Sequence, residues 1–357
     1  MLPQFTPSMK ALPIPHSISA TQGRAETPIA FIQAIVAAYA LRGLSPTEAL
    51  NKAQIGPNLL KKNNARVTAM QMELMSSLAM QELDDEGLGW FSRRLPWGSY
   101  GMLARASITS STLGLALARW CRHHGLLTDD IRLNLTERNG VATLQVDEAR
   151  DLGQFREFCL VSVLRNALGV ACWLTDSRIP LQATHLRFAP PTHADSYRVL
   201  FDGPTHFNAP LNGLQFDAGY LTLPVRRDEA ALQHMLQRAL LLTVRPYSRD
   251  RLLVEKVRQA LAQHPEHSRN ADDLAAWLNM SARTLHRQLK DEGASLQALK
   301  DSVRQQQAQQ QLARTKKPIK QIAAAVGFQN EKSFIRVFKT WTGTTPALYR
   351  QAQHLKT

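Results

Sequence analysis

Hydrophobic positions recur along the chain with two periods, and their order sets out two regions. From Pro28 to Arg42, the residues Ile29, Ile32, Ile35, Val36, Tyr39 and Ala40 fall largely on one side of a helix that Gly43 stops. Ser45-Pro46-Thr47-Glu48 predicts a second helix, with a cap, a proline at the first position and an acid behind it, and Ile55-Gly56-Pro57 closes it. Val67 to Leu83 reads as a third, whose methionines suit core packing first and the wall of an adaptable pocket second. Asp84 to Tyr100 breaks the periodicity with glycines, prolines and crowded aromatics, and Ser107 to His124 restores it, with Leu113, Leu117 and Trp120 along one face. The period then falls to two in Ile131 to Thr136 and Val141 to Asp147, and Asn139-Gly140 between them predicts a hairpin. A helix from Phe155 to Trp173, a strand from Gln182 to Phe188, and shorter strands at Tyr197 to Phe201 and Leu214 to Leu223 follow. This order predicts a mixed α+β domain over residues 28–227. A linker helix is expected over residues 228–248 and an all-α domain over 249–357, while the proline-bearing polar start, residues 1–27, is expected to be a disordered arm.

The all-α part carries the sharper pattern, two helix-turn-helix units in series joined by a long helix. In the first, Asn270 caps a helix from Ala271 to Leu278 whose first turn holds Asp272 and Asp273, Asn279 makes a left-handed turn, and Ser281 caps the next helix. Leu285 and Leu289 of that helix point inward, leaving Arg283, His286, Arg287 and Lys290 together on the other face. In the second, Pro318 occupies the first turn, Ile319, Ile322, Ala323 and Val326 recur at helical spacing, and Gly327 stops the helix. Asn330 then caps a helix buried along Phe334, Val337, Phe338 and Trp341, with Glu331, Lys332, Ser333, Ile335, Arg336 and Lys339 outward, until Gly343 and Pro346 end it. A short helix with a packed back and a face of Arg, His and Lys suits major-groove reading, because Arg bonds guanine bidentately and Lys neutralises phosphate.

Charge sharpens this division. The chain of 357 residues carries a net +14, of which the segment from Arg245 onward supplies +11, with 20 Lys and Arg against 9 Asp and Glu. A basic domain beside a nearly neutral one is the footprint of polyanion binding, and the paired units favour DNA over a membrane surface or a merely solvated face. Cys121, Cys159 and Cys172 are dispersed without a CxxC pair, which argues against a disulfide framework or structural zinc and fits a reducing cytoplasm. Cys121, His123 and His124 lie close in sequence but lack the spacing of a metal site, so neither metal nor cofactor is expected. Apolar stretches such as Ile29 to Leu41 are too short to span a bilayer, and the first residues lack the form of a secretion signal. No nucleophile elbow, phosphate-cradling glycine loop or paired-acid setting for catalysis is evident. Trp90, Phe91, Trp97 and Tyr100 are candidates for the apolar wall of an effector pocket, with Ser110, Ser111, Thr112 and Arg119 as its polar groups; a plain aromatic core with capping hydroxyls is the competing reading.

Asn270 to Arg350 resembles the DNA-binding domain of the AraC/XylS family of bacterial transcription regulators. The likeness rests on Ser281, Arg283, Leu285, Arg287, Leu289 and Gly293, on Arg304, Ala308 and Leu312, and on Ile322, Ala323, Gly327, Phe328, Phe334, Arg336, Phe338, Lys339, Gly343, Pro346 and Tyr349. One departure is Gln305-Gln306-Gln307 and Gln309-Gln310-Gln311 in the connecting helix, where relatives mix Leu, Arg and Glu. Pro28 to Thr243 is similar to the arabinose-binding-like N-terminal domain of the ornithine-regulator-like subset, through Leu88-Gly89, Gly98, Gly101, Thr112-Leu113-Gly114, Ala116-Leu117, His185-Leu186-Arg187-Phe188, Phe201, Phe207, Ala209-Pro210 and Leu214. The resemblance implies two recognition helices in successive major grooves of double-stranded promoter DNA, with Ser281, Arg283, His286, Arg287, Lys290, Glu331, Lys332, Arg336 and Lys339 at the interface. It also implies an effector-responsive activator, not an enzyme, that engages RNA polymerase, binds a small molecule and forms a homodimer, with no membrane partner. Two rival readings are an enzyme, such as a DNA-alkylation repair regulator, fused to the same module, and an architectural DNA binder without effector.

Overall fold

The computed structural model describes residues 20–237, 250–264 and 270–354. The chain divides into two compact units that part between Asp250 and Arg251. The expected linker therefore falls partly outside the described residues, which show its start as a helix at Glu229–Leu236.

The first unit opens on a short strand, β1 (Ala25–Pro28), paired antiparallel with β2 (Arg66–Thr68). The expected arm therefore does not reach Thr27: β1 belongs to the fold, and Ala20 is buried with its carbonyl accepting the Thr68 hydroxyl. Residues 1–19 lie outside the described residues. Helix α1 (Ile29–Leu41) buries Ile29, Phe31, Ile32, Ile35, Ala38 and Tyr39. Two short helices, α2 (Thr47–Lys52) and α3 (Pro57–Leu60), precede α4 (Ala69–Glu82). Thr68 and Gln71 close a reciprocal capping box at the start of α4.

The helix expected from Ser107 to His124 is two helices, α5 (Ser99–Ile108) and α6 (Leu113–Leu127). The break falls where Ser110 N–H turns back to the Ser107 carbonyl and the Thr112 hydroxyl takes the backbone N–H of Leu115, capping a new helix in place of the old one. The hairpin forms as expected from β3 (Ile131–Arg138) and β4 (Val141–Glu148). Asn139 and Gly140 both adopt positive φ, 53° and 77°, which matches the twist of the flanking strands. A five-stranded sheet in the order β3-β4-β7-β5-β6 is completed by β5 (Leu181–His185), β6 (Thr205–His206) and β7 (Asn212–Asp217), antiparallel except for β5 with β6.

Helix α7 (Arg156–Thr175) is buried almost all round. The run Gly153–Thr175 is long and apolar enough to cross a membrane by composition, yet 78% of its most apolar 18 residues lie buried, as in a core helix. The strand expected at Tyr197 to Phe201 is instead a helical turn, α8 (Tyr197–Leu200). Its aromatic composition suits a strand, but the Tyr197 hydroxyl donates to Glu157 at 2.7 Å and the ring packs against Phe201 and Phe207. The segment expected as a strand to Leu223 leaves the sheet at Asp217, whose carboxylate accepts from Gly219 N to start a 3-10 turn. Helix α9 is the segment Glu229–Leu236.

The second unit is all helical: α10 (Leu252–Gln263), α11 (Ala271–Trp277), α12 (Ala282–Asp291), α13 (Leu296–Arg314), α14 (Ile319–Ala325), α15 (Glu331–Thr342) and α16 (Pro346–His354). Gly343 closes α15 as its left-handed cap, and Pro346, expected to help end that helix, opens a further one, α16. Pro318 stands just outside α14 with extended ψ rather than inside its first turn. Two small cores result. One joins Val254, Val257 and Ala260 of α10 to Leu274, Leu285, Leu289, Leu296 and Leu299. The other joins Ala308 and Leu312 of α13 to Ile322, Ala323, Val326, Phe334 and Phe338. Helix α13 contributes to both; of its glutamines, Gln306 and Gln310 are exposed, whereas Gln311 buries its side-chain oxygen beside Leu312.

Candidate nucleic-acid interface and effector cavity

Each recognition helix is fixed at its start by a side-chain cap. Ser281 Oγ accepts from Thr284 N at 3.1 Å, and Asn330 Oδ1 accepts from Ser333 N at 2.8 Å. Leu285 and Leu289 anchor α12, and Phe334 and Phe338 anchor α15, all fully buried. Arg283, His286, Arg287 and Lys290 are then exposed together on α12, and Lys332, Arg336 and Lys339 on α15. Among the described residues these seven side chains make no internal hydrogen bond or ion pair, so their charge is free to meet a polyanion. Ser281 is occupied as a cap, and Glu331 is half-buried in the first turn of α15, where the helix dipole favours an acid.

The turn ahead of α15 sets its direction. Gly327 N donates to Ala324 O and Phe328 N to Ala323 O, a paired closure that requires the left-handed φ of 83° at Gly327. Arg304 of α13 lies under this turn, its guanidinium 5.7 Å from the centre of the Phe328 ring. The sequence contained the turn but not this contact.

The first unit encloses a cavity of about 180 Å³. Trp90, Trp97 and Tyr100 line it, together with Phe31, Phe158 and the methionines Met72 and Met80. Ser110, Thr112 and Arg119 do not. The break between α5 and α6 sets them beyond the far end of α5 from Tyr100, where Ser110 is buried, Thr112 caps α6 and Arg119 donates to Thr109. The polar wall comes instead from Glu73, Glu86 and Arg165, which no motif announced. Glu86 accepts from Gly98 N at 2.8 Å and Tyr100 N at 2.7 Å, yet burial still raises its carboxyl pKa above the ordinary value. Burial lowers Arg165 to about 10. Tyr100, half-buried in the wall, stacks on Trp120 and places its hydroxyl 3.3 Å from His124 Nε2; burial lowers His124 to about 4. All three cysteines are buried and unbridged, and burial pushes Cys121 and Cys172 up to about 12.

Two capped helices in tandem, each with a packed back and a cationic front, beside a separate α+β unit with its own cavity, define a DNA-binding transcription regulator with an effector-binding type of N-terminal domain. The description "arabinose-binding domain of AraC transcription regulator" matches residues 43–225, just over half the chain, and a helix-turn-helix domain matches residues 274–352, so the chain belongs to the AraC family of transcription regulators. It is 28% identical to the ornithine utilization regulator of Pseudomonas aeruginosa over 328 residues, covering 91% of this chain and 96% of that one. An uncharacterised helix-turn-helix-type regulator of Mycobacterium tuberculosis is 24% identical over 86% of this chain and 91% of its own. Among solved structures, the transcriptional regulator CdpR from Pseudomonas aeruginosa aligns over 90% of this chain and 98% of its own at 19% identity, with a TM-score of 0.33.

Proposed function

We propose that the protein is an effector-responsive activator that grips promoter DNA with α12 and α15 in successive major grooves. The observation that carries this is the pair of unpartnered cationic faces on capped helices. Arg283, His286, Arg287 and Arg336 reach base edges, Lys290, Lys332 and Lys339 meet phosphate, and Ser281 and Glu331 set the helix starts. The N-terminal unit binds a small molecule and forms the homodimer, and the DNA-bound protein engages RNA polymerase in the cytoplasm. Effector binding acts through its difference in affinity for the two states of the regulator, on the order of 1–3 kcal/mol.

The chain has no catalytic role in this reading. A repair enzyme built on this module would need an accessible thiolate, and burial of all three thiols works against one. Genome-wide footprinting tests the DNA reading: occupied sites should share a motif of two elements about one helical turn apart. Binding without a shared motif would refute it, and the full chain's promoter affinity against a fractionated metabolite extract tests the response to an effector.

A further inference from the structure

The cavity of the first unit holds a carboxylate, that of Glu86, against which no side-chain cation is set among the described residues, although Glu73 and Arg165, each with an interaction of its own, also line the cavity. Glu86 is 8% exposed and lines the cavity. Its hydrogen bonds come from the backbone of Gly98 and Tyr100, and among the described residues no cation pairs with it. Its chain neighbours are also acids and deepen the negative potential: Asp84 accepts from Trp97 N, and Asp85 holds three backbone N–H groups and Arg42 at 3.3 Å. At the rim, Arg24 is taken by Glu26 at 3.3 Å.

Beside this carboxylate stand aromatic faces. Phe158 stacks on Phe31 with centroids 5.1 Å apart and meets Trp90 edge-on at 5.2 Å, while Trp97 and Tyr100 complete the wall. Trp90 is 3% exposed, and its indole N–H is buried without a partner. Aromatic faces with a buried carboxylate recognise organic cations, and a buried donor left unmade awaits an acceptor. The volume of about 180 Å³ slightly exceeds the roughly 150 Å³ that houses one benzene ring, so a ring with a short arm, or a chain of similar bulk, fits.

We propose that this cavity binds a small organic ammonium ion, with Glu86 as its counter-charge, the aromatic wall around its apolar part and the Trp90 indole N–H bonded to an acceptor atom of the ligand. The inference rests on reading the first unit as the effector-binding one. An anion of the same shape meets Glu86 unfavourably, and a neutral isostere leaves it unmatched.

The test is calorimetric titration of the full chain with three probes of one shape: 2-phenylethylamine, 2-phenylethanol and phenylacetate. The amine should bind at least tenfold more tightly than the alcohol, and phenylacetate more weakly than either. In Glu86→Gln the amine should fall to the level of the alcohol, whose affinity stays unchanged and reports an intact cavity. The proposal is overturned if wild type binds the alcohol or phenylacetate as well as the amine, if no probe binds, or if Glu86→Gln keeps the preference for the amine. Should that variant not fold, the wild-type ranking decides alone. A promoter response to phenylacetate with the amine silent would sink the cation proposal and leave the effector reading standing; a promoter affinity indifferent to the metabolite extract would sink the effector reading itself.

Discussion

Arg336→Ala and Lys339→Ala, three residues apart on α15, should fail in different ways. Both side chains are exposed and unpartnered, and the helix is held by Phe334 and Phe338 on its other side, so folding stability should change by less than about 0.5 kcal/mol in each variant. Arg336 is assigned a base edge, and its loss should cost about 1–3 kcal/mol on the specific duplex, roughly 5- to 150-fold, while relaxing preference at one base pair. Lys339 is assigned a phosphate, and its loss should act alike on every sequence. If Lys290, Lys332 and Lys339 each neutralise a backbone phosphate, log affinity should fall with log salt at a slope of about −3, a loss of roughly fortyfold between 50 and 200 mM salt. Lys339→Ala should flatten that slope by about one. Fluorescence anisotropy with a footprinted operator and a shuffled duplex, at three salt concentrations, measures both quantities. Equal losses on the two duplexes for Arg336→Ala, or an unaltered slope for Lys339→Ala, would refute the assignment.

Two further substitutions probe what holds the units. Gly327→Ala forces a side chain into a left-handed φ of 83° and should cost about 1–2 kcal/mol, read as a lower urea midpoint of the second unit; an unchanged midpoint would show that the turn relaxes freely. His124 is neutral in the fold because burial lowers it from 6.5 to about 4, so the unfolded chain takes up the proton first as pH falls. The stability this supplies is complete above the unfolded value and drains away below it, about 2 kcal/mol by pH 5. His124→Gln should remove that portion of the pH dependence in urea unfolding between pH 7 and 5, and an identical pH profile in the variant would count against the assignment.

What the sequence disclosed divides along the range of the interactions involved. The hairpin was legible because Asn139 and Gly140 carry its geometry locally, and the tandem units because Asn270, Ser281, Gly327 and Asn330 fix helix ends within a few residues. Tyr197 was misread because its conformation answers to Glu157, forty residues earlier in the chain. The cavity was half legible. The crowding of Trp90, Trp97 and Tyr100 marked one wall, but Phe31, Met72 and Phe158 come from α1, α4 and α7, and nothing local announces that they converge. Ser110 and Thr112 were misplaced because hydroxyls at a helix break and hydroxyls in a pocket look alike in one dimension.

Helix α13 deserves a mechanical reading. Leu296 and Leu299 root it in one small core and Ala308 and Leu312 in the other, so its 19 residues, about 28 Å, behave as a strut with both ends clamped. A clamped strut fixes phase as well as distance: one residue inserted in its middle would swing the second reading head by about 100° around the axis. If both helices read DNA as proposed, the protein acts as a ruler along the duplex, and an operator whose halves are moved apart by a few base pairs would present the right letters at the wrong angle.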